Sequence, residues 1–431
     1  MRKQMKTNDA IAILQDLVKI DTTNEYATEY EAALYIEDVL ERAGIASKII
    51  YSPNGRANLI AHLEAVQPIK EPLVLLSHLD VVAADRDTWS FPPFAGEEAE
   101  GCIWGRGTLD TKQLTVMHLI AFLELYHSEQ TLNRDVYFVA SADEENGSKE
   151  GMEYLAETCP EIFDNATVLS EGGGFTVAGS DGKPYMLFAS GEKGTAVIKI
   201  VGTGDSGHAG SPPDNQAIAH ITQALQYLLQ QEPHCHEYSV LTTYTETFQQ
   251  LLKSNTQPTP DDQLVAKLYE YMKFQTTMID YLEIGTQVNV IPYKGEVTFE
   301  FRTLPSVNKD AFEKYMNQLF ENSNVSWELI DFQQGYLSEV DAEVMKLFQQ
   351  YSPDYGFSGT WVPFTALGKT DGRFIGKIAK NVYGLSPVTV PFSEVLKRVH
   401  SADERIETDA FVYGVNLMRK VVHHYCLQME V

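Results

Sequence analysis

Leu73–Leu76 sets four apolar residues in succession and runs directly into SHLDVV. A strand with one wet face alternates polar and apolar residues. An unbroken run marks a strand covered on both faces, the usual state in a parallel sheet between helix layers. The surrounding sequence supplies those layers. Glu29–Ala43 reads as a helix with Ala33, Leu34, Ile36, Val39 and Leu40 apolar, and Gly44 ends it. ANLIAHL precedes the run; Leu114–Leu125 (helix), Asp135–Ala142 (strand), a helix near Lys149–Glu157 and the strand Thr167–Ser170 follow it. Strands separated by helices predict an α/β fold with a mainly parallel central sheet between helices.

The texture changes near Gly191. GTAVIKIVG reads as a strand, Asn215–Leu229 as an amphipathic helix, Gln287–Val290 and Glu296–Leu304 as strands joined around Pro292 and Gly295. Asn308–Glu321 is a further helix and Val325–Phe332 a last strand, while residues 235–286 give no assignable pattern. A chain of 431 residues is long for one core. The expectation is therefore an inserted α+β domain at 192–333 within a discontinuous domain of 1–191 and 334–431. The N-terminus reads as an amphipathic helix, with Ile11, Ile13, Leu14, Leu17 and Val18 on one face and Asn8 as its cap, rather than as a secretory signal.

Charge narrows the partners. The net charge of −27 repels nucleic acid and anionic membrane, so neither is expected as a partner. No apolar run approaches the ~20 residues of a membrane span. Cys102, Cys159, Cys235 and Cys426 are scattered without a CxxC pair, which suits a reducing, cytoplasmic setting and structural thiols.

Four segments gather His, Asp and Glu at expected strand ends, where open α/β sheets place their sites. His78 and Asp80 follow Leu73–Leu76 and, two residues apart, face the same side; Asp80 is suited to take the second ring N–H of a metal-bound His78. Asp110 sits in a turn before a helix, Asp143, Glu144 and Glu145 follow a strand, and Glu171 is followed by three glycines that clear space. VHSADERI adds His400 near the C-terminus. Each piece alone is an ordinary turn or a solvated acidic loop. Together, carboxylates at one sheet edge repel unless cations lie between them, and mixed N and O donors suit zinc, with cobalt or manganese as substitutes.

In order and wording, SHLDVV, WGRGTLDTK, ADEENGS, SEGGG, GHAGSPP, NVIP, GKTDGR and HSADERI resemble metallopeptidase family twenty, which includes aminoacylases, carboxypeptidases, acetylornithine deacetylase and succinyl-diaminopimelate desuccinylase. HLDVV followed by TWSFPPF and IWGRGTLD is most similar to the carboxypeptidase S and N-acyl-amino-acid hydrolase branch. The resemblance implies a zinc-peptidase-like catalytic domain with an inserted lid and dimerisation domain, two zinc ions per subunit and a homodimer. It implies Asp110 as the bridging ligand, His78 and Glu171 completing one site, and Glu145 and His400 the other. Asp80 would orient His78, and Glu144 would be the general base toward a metal-bound water. His208 would reach a partner subunit's site and steady the oxyanion, with Asn289 facing it too. Arg302 and Arg373 are candidates to grip a substrate carboxylate, or else structural ion-pair partners.

Two departures stand out. SEGGG has Glu where aminopeptidase-type members have Asp, and Ser401 replaces the usual Gly after the histidine. The expected reaction is amide hydrolysis of a peptide or N-acyl amino acid; the alternatives are aminopeptidase or tripeptidase action, or a non-catalytic metal-binding protein. The complete ligand set argues against the last. His234 and His236 flank Cys235 with no further ligands and are not read as a third site, and His423 and His424 suit a helix C-terminus.

Overall fold

The structure is a computed structural model that describes residues 7–26, 29–128, 130–179, 182–230, 260–285 and 287–428. Among them, one compact unit takes the residues up to 191, 260–266 and those from 337 onward; the other takes 192–230 and 267–336.

The first unit is built on a sheet ordered Ser47–Tyr51, Ala57–Leu63, Val136–Ser141, Leu73–His78, Thr167–Ser170, Asn381–Gly384 and Pro184–Glu192. The four middle strands run parallel, and antiparallel strands flank them. The unbroken apolar run is the reason Leu73–His78 lies at the centre, buried at every position. The helix Lys112–His127 crosses over between Leu73–His78 and Val136–Ser141 and is buried along most of its length. It packs against the C-terminal helix Thr408–Cys426 and the first helix, Thr7–Lys19. Ala10, Ile13, Leu14, Leu17 and Val18 of that first helix enter the core, with Ile11 at its margin. Asn8 is not its cap: Thr7 is already helical, so Asn8 lies in the first turn. Gly44 closes Glu29–Ala43 in the left-handed region, at φ +86°.

The second unit is a four-stranded antiparallel sheet, in the order Thr276–Ile284, Lys294–Thr303, Gly194–Thr203, Val325–Gln333. Ala217–Gln230 and Lys309–Phe320, the latter capped by Asn308, pack on it around Ile198, Ile200, Phe299, Phe301, Phe312 and Met316. The expected strand Gln287–Val290 is not the partner of the strand that follows it. That partner is Thr276–Ile284, inside the segment left unassigned, and Pro260–Lys273 before it is helical. Two causes hid it: this edge strand is mostly exposed, and a register shift between Ile279 and Tyr281 breaks its alternation. Only Val290–Ile291 is extended near the expected strand, and it pairs with Gly207–His208.

Cys102, Cys159 and Cys426 are free, while His234, Cys235 and His236 lie outside the described residues. Among the described residues no helix is long and apolar enough to cross a membrane.

Candidate metal centre

Three parallel strands end side by side and deliver the site. His78 is the last residue of Leu73–His78 and pairs in register with Ser141; Glu144 and Glu145 lie just beyond Ser141, and Glu171 follows Thr167–Ser170. The glycines after Glu171 are needed for a close approach. A Cβ on Gly174, which holds φ +95°, would sit 2.1 Å from the Ser386 carbonyl oxygen.

The side chains converge as two overlapping triplets. His78, Asp110 and Glu171 bring one ligand atom each within 4.8 Å of one another, and so do Asp110, Glu145 and His400. Asp110 belongs to both. Its Oδ1 is 3.2 Å from His78 Nε2 and its Oδ2 is 3.2 Å from His400 Nε2. Glu171 Oε2 stands 3.3 Å from His78 Nε2, and Glu145 Oε2 stands 3.0 Å from His400 Nε2. His78 is buried; His400 is exposed and holds a left-handed backbone at φ +59°.

Charge accounts for the titration of these groups. Burial works against a charged His78, yet Glu171, Asp110 and Asp80 hold its pKa well above the usual value. Hydrogen bonds to Asp110 and Glu145 push His400 to about 10. Burial alone would raise Asp110, but His400 and His78 keep it far below the carboxylate range. Burial carries Glu171 to about 7 and, with Glu171 adding repulsion, lifts Glu144 well above its ordinary value. Such a cluster attracts positive charge. Nitrogen and carboxylate donors in two triplets sharing one carboxylate are groups that could hold divalent ions.

Asp80 does more than its spacing indicated. His78 Nδ1 lies 3.0 Å from the Asp80 main-chain oxygen and 3.5 Å from its carboxylate. That carboxylate also accepts the backbone N–H groups of Glu144 at 3.0 Å and Glu145 at 3.1 Å, and the Asn24 side-chain amide. Asn24 had no signal in the sequence. Arg56, equally silent, pairs with buried Glu29 and lies 3.5 Å from Asp143 at the start of the acidic turn. Asp110's own N–H donates to Glu404, another residue the motifs did not single out.

Arg373 is buried beside Glu144. Its Nη1 is 3.7 Å from Glu144 Oε1 and donates to the Thr370 carbonyl at 2.8 Å, while Nη2 donates to Ser148 Oγ at 3.3 Å. The remaining candidates belong to the second unit. His208 is exposed and pairs with Val290 across the two-stranded ribbon, next to Asn289 at φ +69°. Arg302 is half-buried and ion-paired to Glu300 at 2.8 Å.

The chain is 26% identical over 393 residues to human N-fatty-acyl-amino acid synthase/hydrolase PM20D1, covering 84% of this chain and 76% of that protein. It is 26% identical over 433 residues to a probable succinyl-diaminopimelate desuccinylase from Staphylococcus epidermidis, covering 98% of each. In fold it is similar to an M20 family metallo-carboxypeptidase from Sulfolobus solfataricus, with a TM-score of 0.71 at 17% identity over 98% of this chain and 99% of that one. Residues 74–424 match the sequence profile of peptidase family M20/M25/M40, and the chain is therefore a member of that family of metal-dependent amide hydrolases.

Proposed function

We propose that this chain is a two-zinc hydrolase of N-acyl amino acids or short peptides that carry a free carboxylate beside the scissile amide. The observation that carries the reading is Asp110, whose two carboxylate oxygens each face a different histidine at 3.2 Å. His78, Asp110 and Glu171 would hold one ion, and Asp110, Glu145 and His400 the other. Divalent ions bound there supply Lewis acidity that polarises the carbonyl and eases loss of a proton from water.

Glu144 belongs to neither triplet, although it neighbours Glu145. It is free to take the proton of the attacking water and return it to the leaving amine. Asp80 fixes both sides of that arrangement, through His78 and through the 144–145 amides. Arg302 and Arg373 are the candidates for gripping the substrate carboxylate. His208, with Asn289 beside it, would donate to the developing oxyanion, His208 from a partner subunit. In this reading residues 192–333 form the lid and dimerisation domain of a cytoplasmic enzyme. Two relatives named for acyl-amino acid and succinyl-diaminopimelate substrates favour N-acyl amino acids as the class.

Metal analysis of protein purified without chelator should find two zinc equivalents; a folded protein that binds none rejects the reading. Glu144→Ala should keep its metal and lose activity by roughly 10²–10⁴-fold, the usual worth of a general base. A panel of N-acyl amino acids, dipeptides and tripeptides decides the substrate. Exclusive cleavage of substrates with a free amine would assign the chain to aminopeptidase action instead.

A further inference from the structure

Glu404 is fully buried, lies four residues beyond His400 and has no role in the reaction described above. Its Oε1 accepts the backbone N–H groups of Gly107 at 3.0 Å, Leu109 at 2.8 Å and Asp110 at 3.2 Å. Its Oε2 accepts Arg106 Nη1 at 2.6 Å. A buried carboxylate is costly unless paired and hydrogen-bonded, and here all the donors come from one stretch, residues 106–110. That stretch ends at Asp110, the carboxylate shared by the two triplets.

The arrangement closes a loop. His400 Nε2 faces the Asp110 carboxylate at 3.2 Å, the Asp110 N–H donates to Glu404, and four residues of main chain return to His400. Both arms are braced. The Gly105 N–H donates to the Glu404 carbonyl at 2.9 Å, the Arg106 guanidinium lies over Trp89 at 5.2 Å, and Asp403 accepts the Ser90 N–H at 2.7 Å and its hydroxyl at 2.8 Å. A carboxylate serving only as ballast for the fold would have no reason to collect the three amides leading into a shared ligand.

We propose that Glu404 is a positioning residue that fixes the shared carboxylate of Asp110 against His400, so that the His400 triplet is assembled only while the 106–110 loop is held. The inference rests on the reading of Asp110 and His400 as metal ligands. Its test is a cobalt titration of the metal-free protein, followed by visible absorption, for wild type, Glu404→Gln and Glu404→Asp. The second cobalt should bind about 10–100-fold more weakly in the variants, the range expected when a ligand's supporting partner is lost. On a substrate the wild type cleaves, kcat should fall while KM holds. A folded variant that binds both cobalt ions with wild-type affinity overturns the proposal, whatever its melting temperature. If neither variant folds, hydrogen exchange of the metal-free wild type decides: the amides of Gly107, Leu109 and Asp110 must be protected, and rapid exchange there overturns it. A wild type that binds no cobalt but keeps that protection would instead sink the metal-site reading.

Discussion

His118 sits in the middle of the buried crossover helix Lys112–His127, fully buried, and neither ring nitrogen has a hydrogen-bond partner among the described residues. Burial depresses its pKa from 6.5 to about 3. The sign follows from linkage. Between those values the unfolded chain binds a proton that the folded chain refuses, so stability is complete above pH 6.5 and is lost as pH falls toward 3. Each pH unit inside the window costs about 1.4 kcal/mol, and the whole shift would cost about 5 kcal/mol. Going from pH 7.5 to 4.5 should therefore destabilise the folded state by about 3 kcal/mol through this one group. His118→Leu conserves volume approximately and removes both the titration and the unmet polar atoms. Urea unfolding of wild type and variant across that range, in matched buffers and metal content, isolates the effect. His118 lies six residues into the helix, about 9 Å beyond Lys112, so the metal-site carboxylates contribute nearly equally to both proteins and cancel in the difference. The variant should match or exceed the wild type at pH 7.5 and pull ahead as the pH drops. Parallel profiles would refute the claim that the imidazole is held neutral.

Other expectations follow from single contacts. Lys193, buried and donating to the Tyr271 and Phe274 carbonyls, has its pKa lowered to about 7 by burial first and Arg302 second. The wild type should thus gain stability relative to Lys193→Met as pH rises from 7 to 9, by at most about 1.4 kcal/mol per unit in urea melts; a constant difference would contradict it. Gly174→Ala places a Cβ 2.1 Å from the Ser386 oxygen at φ +95°, and should cost about 1–3 kcal/mol or more in thermal unfolding. An unchanged melting temperature would show that the approach is not real. Removing metal with chelator should lower the melting temperature and zinc should restore it, since ligand at 1,000 times its Kd stabilises by about 4 kcal/mol; insensitivity to chelator argues against any resident ion.

The sequence was most informative where burial imposes a pattern. Leu73–Leu76 has no wet face, so its apolar run survives in one dimension, and the same holds for Thr167–Ser170, buried at every position. His78, Asp110, Glu145, Glu171 and His400 stood out only as a set, through the gathering of carboxylates at one sheet edge and the order of the motifs that carry them. Glu404 and Arg56 did not. Inside HSADERI an extra carboxylate looks like one more solvated charge, and only the fold reveals that Arg106 and three amides enclose it. Thr276–Ile284 escaped for the opposite reason: an exposed edge strand with a register shift carries no clean period to read. Asp80 was legible in half. Its place beside His78 follows from a spacing of two, but its hold on the 144–145 amides depends on which strand lies next door.

That neighbour relation sets a limit on how such a site can diversify. His78, the 144–145 turn and Glu171 leave three consecutive parallel strands, so the spacing between them is that of backbone hydrogen bonds across a sheet, about 4.8 Å. The sheet acts as a ruler that no side-chain substitution can restretch. Substitutions can then change what surrounds His78, the 144–145 turn and Glu171, while the strand spacing that sets their separation stays fixed.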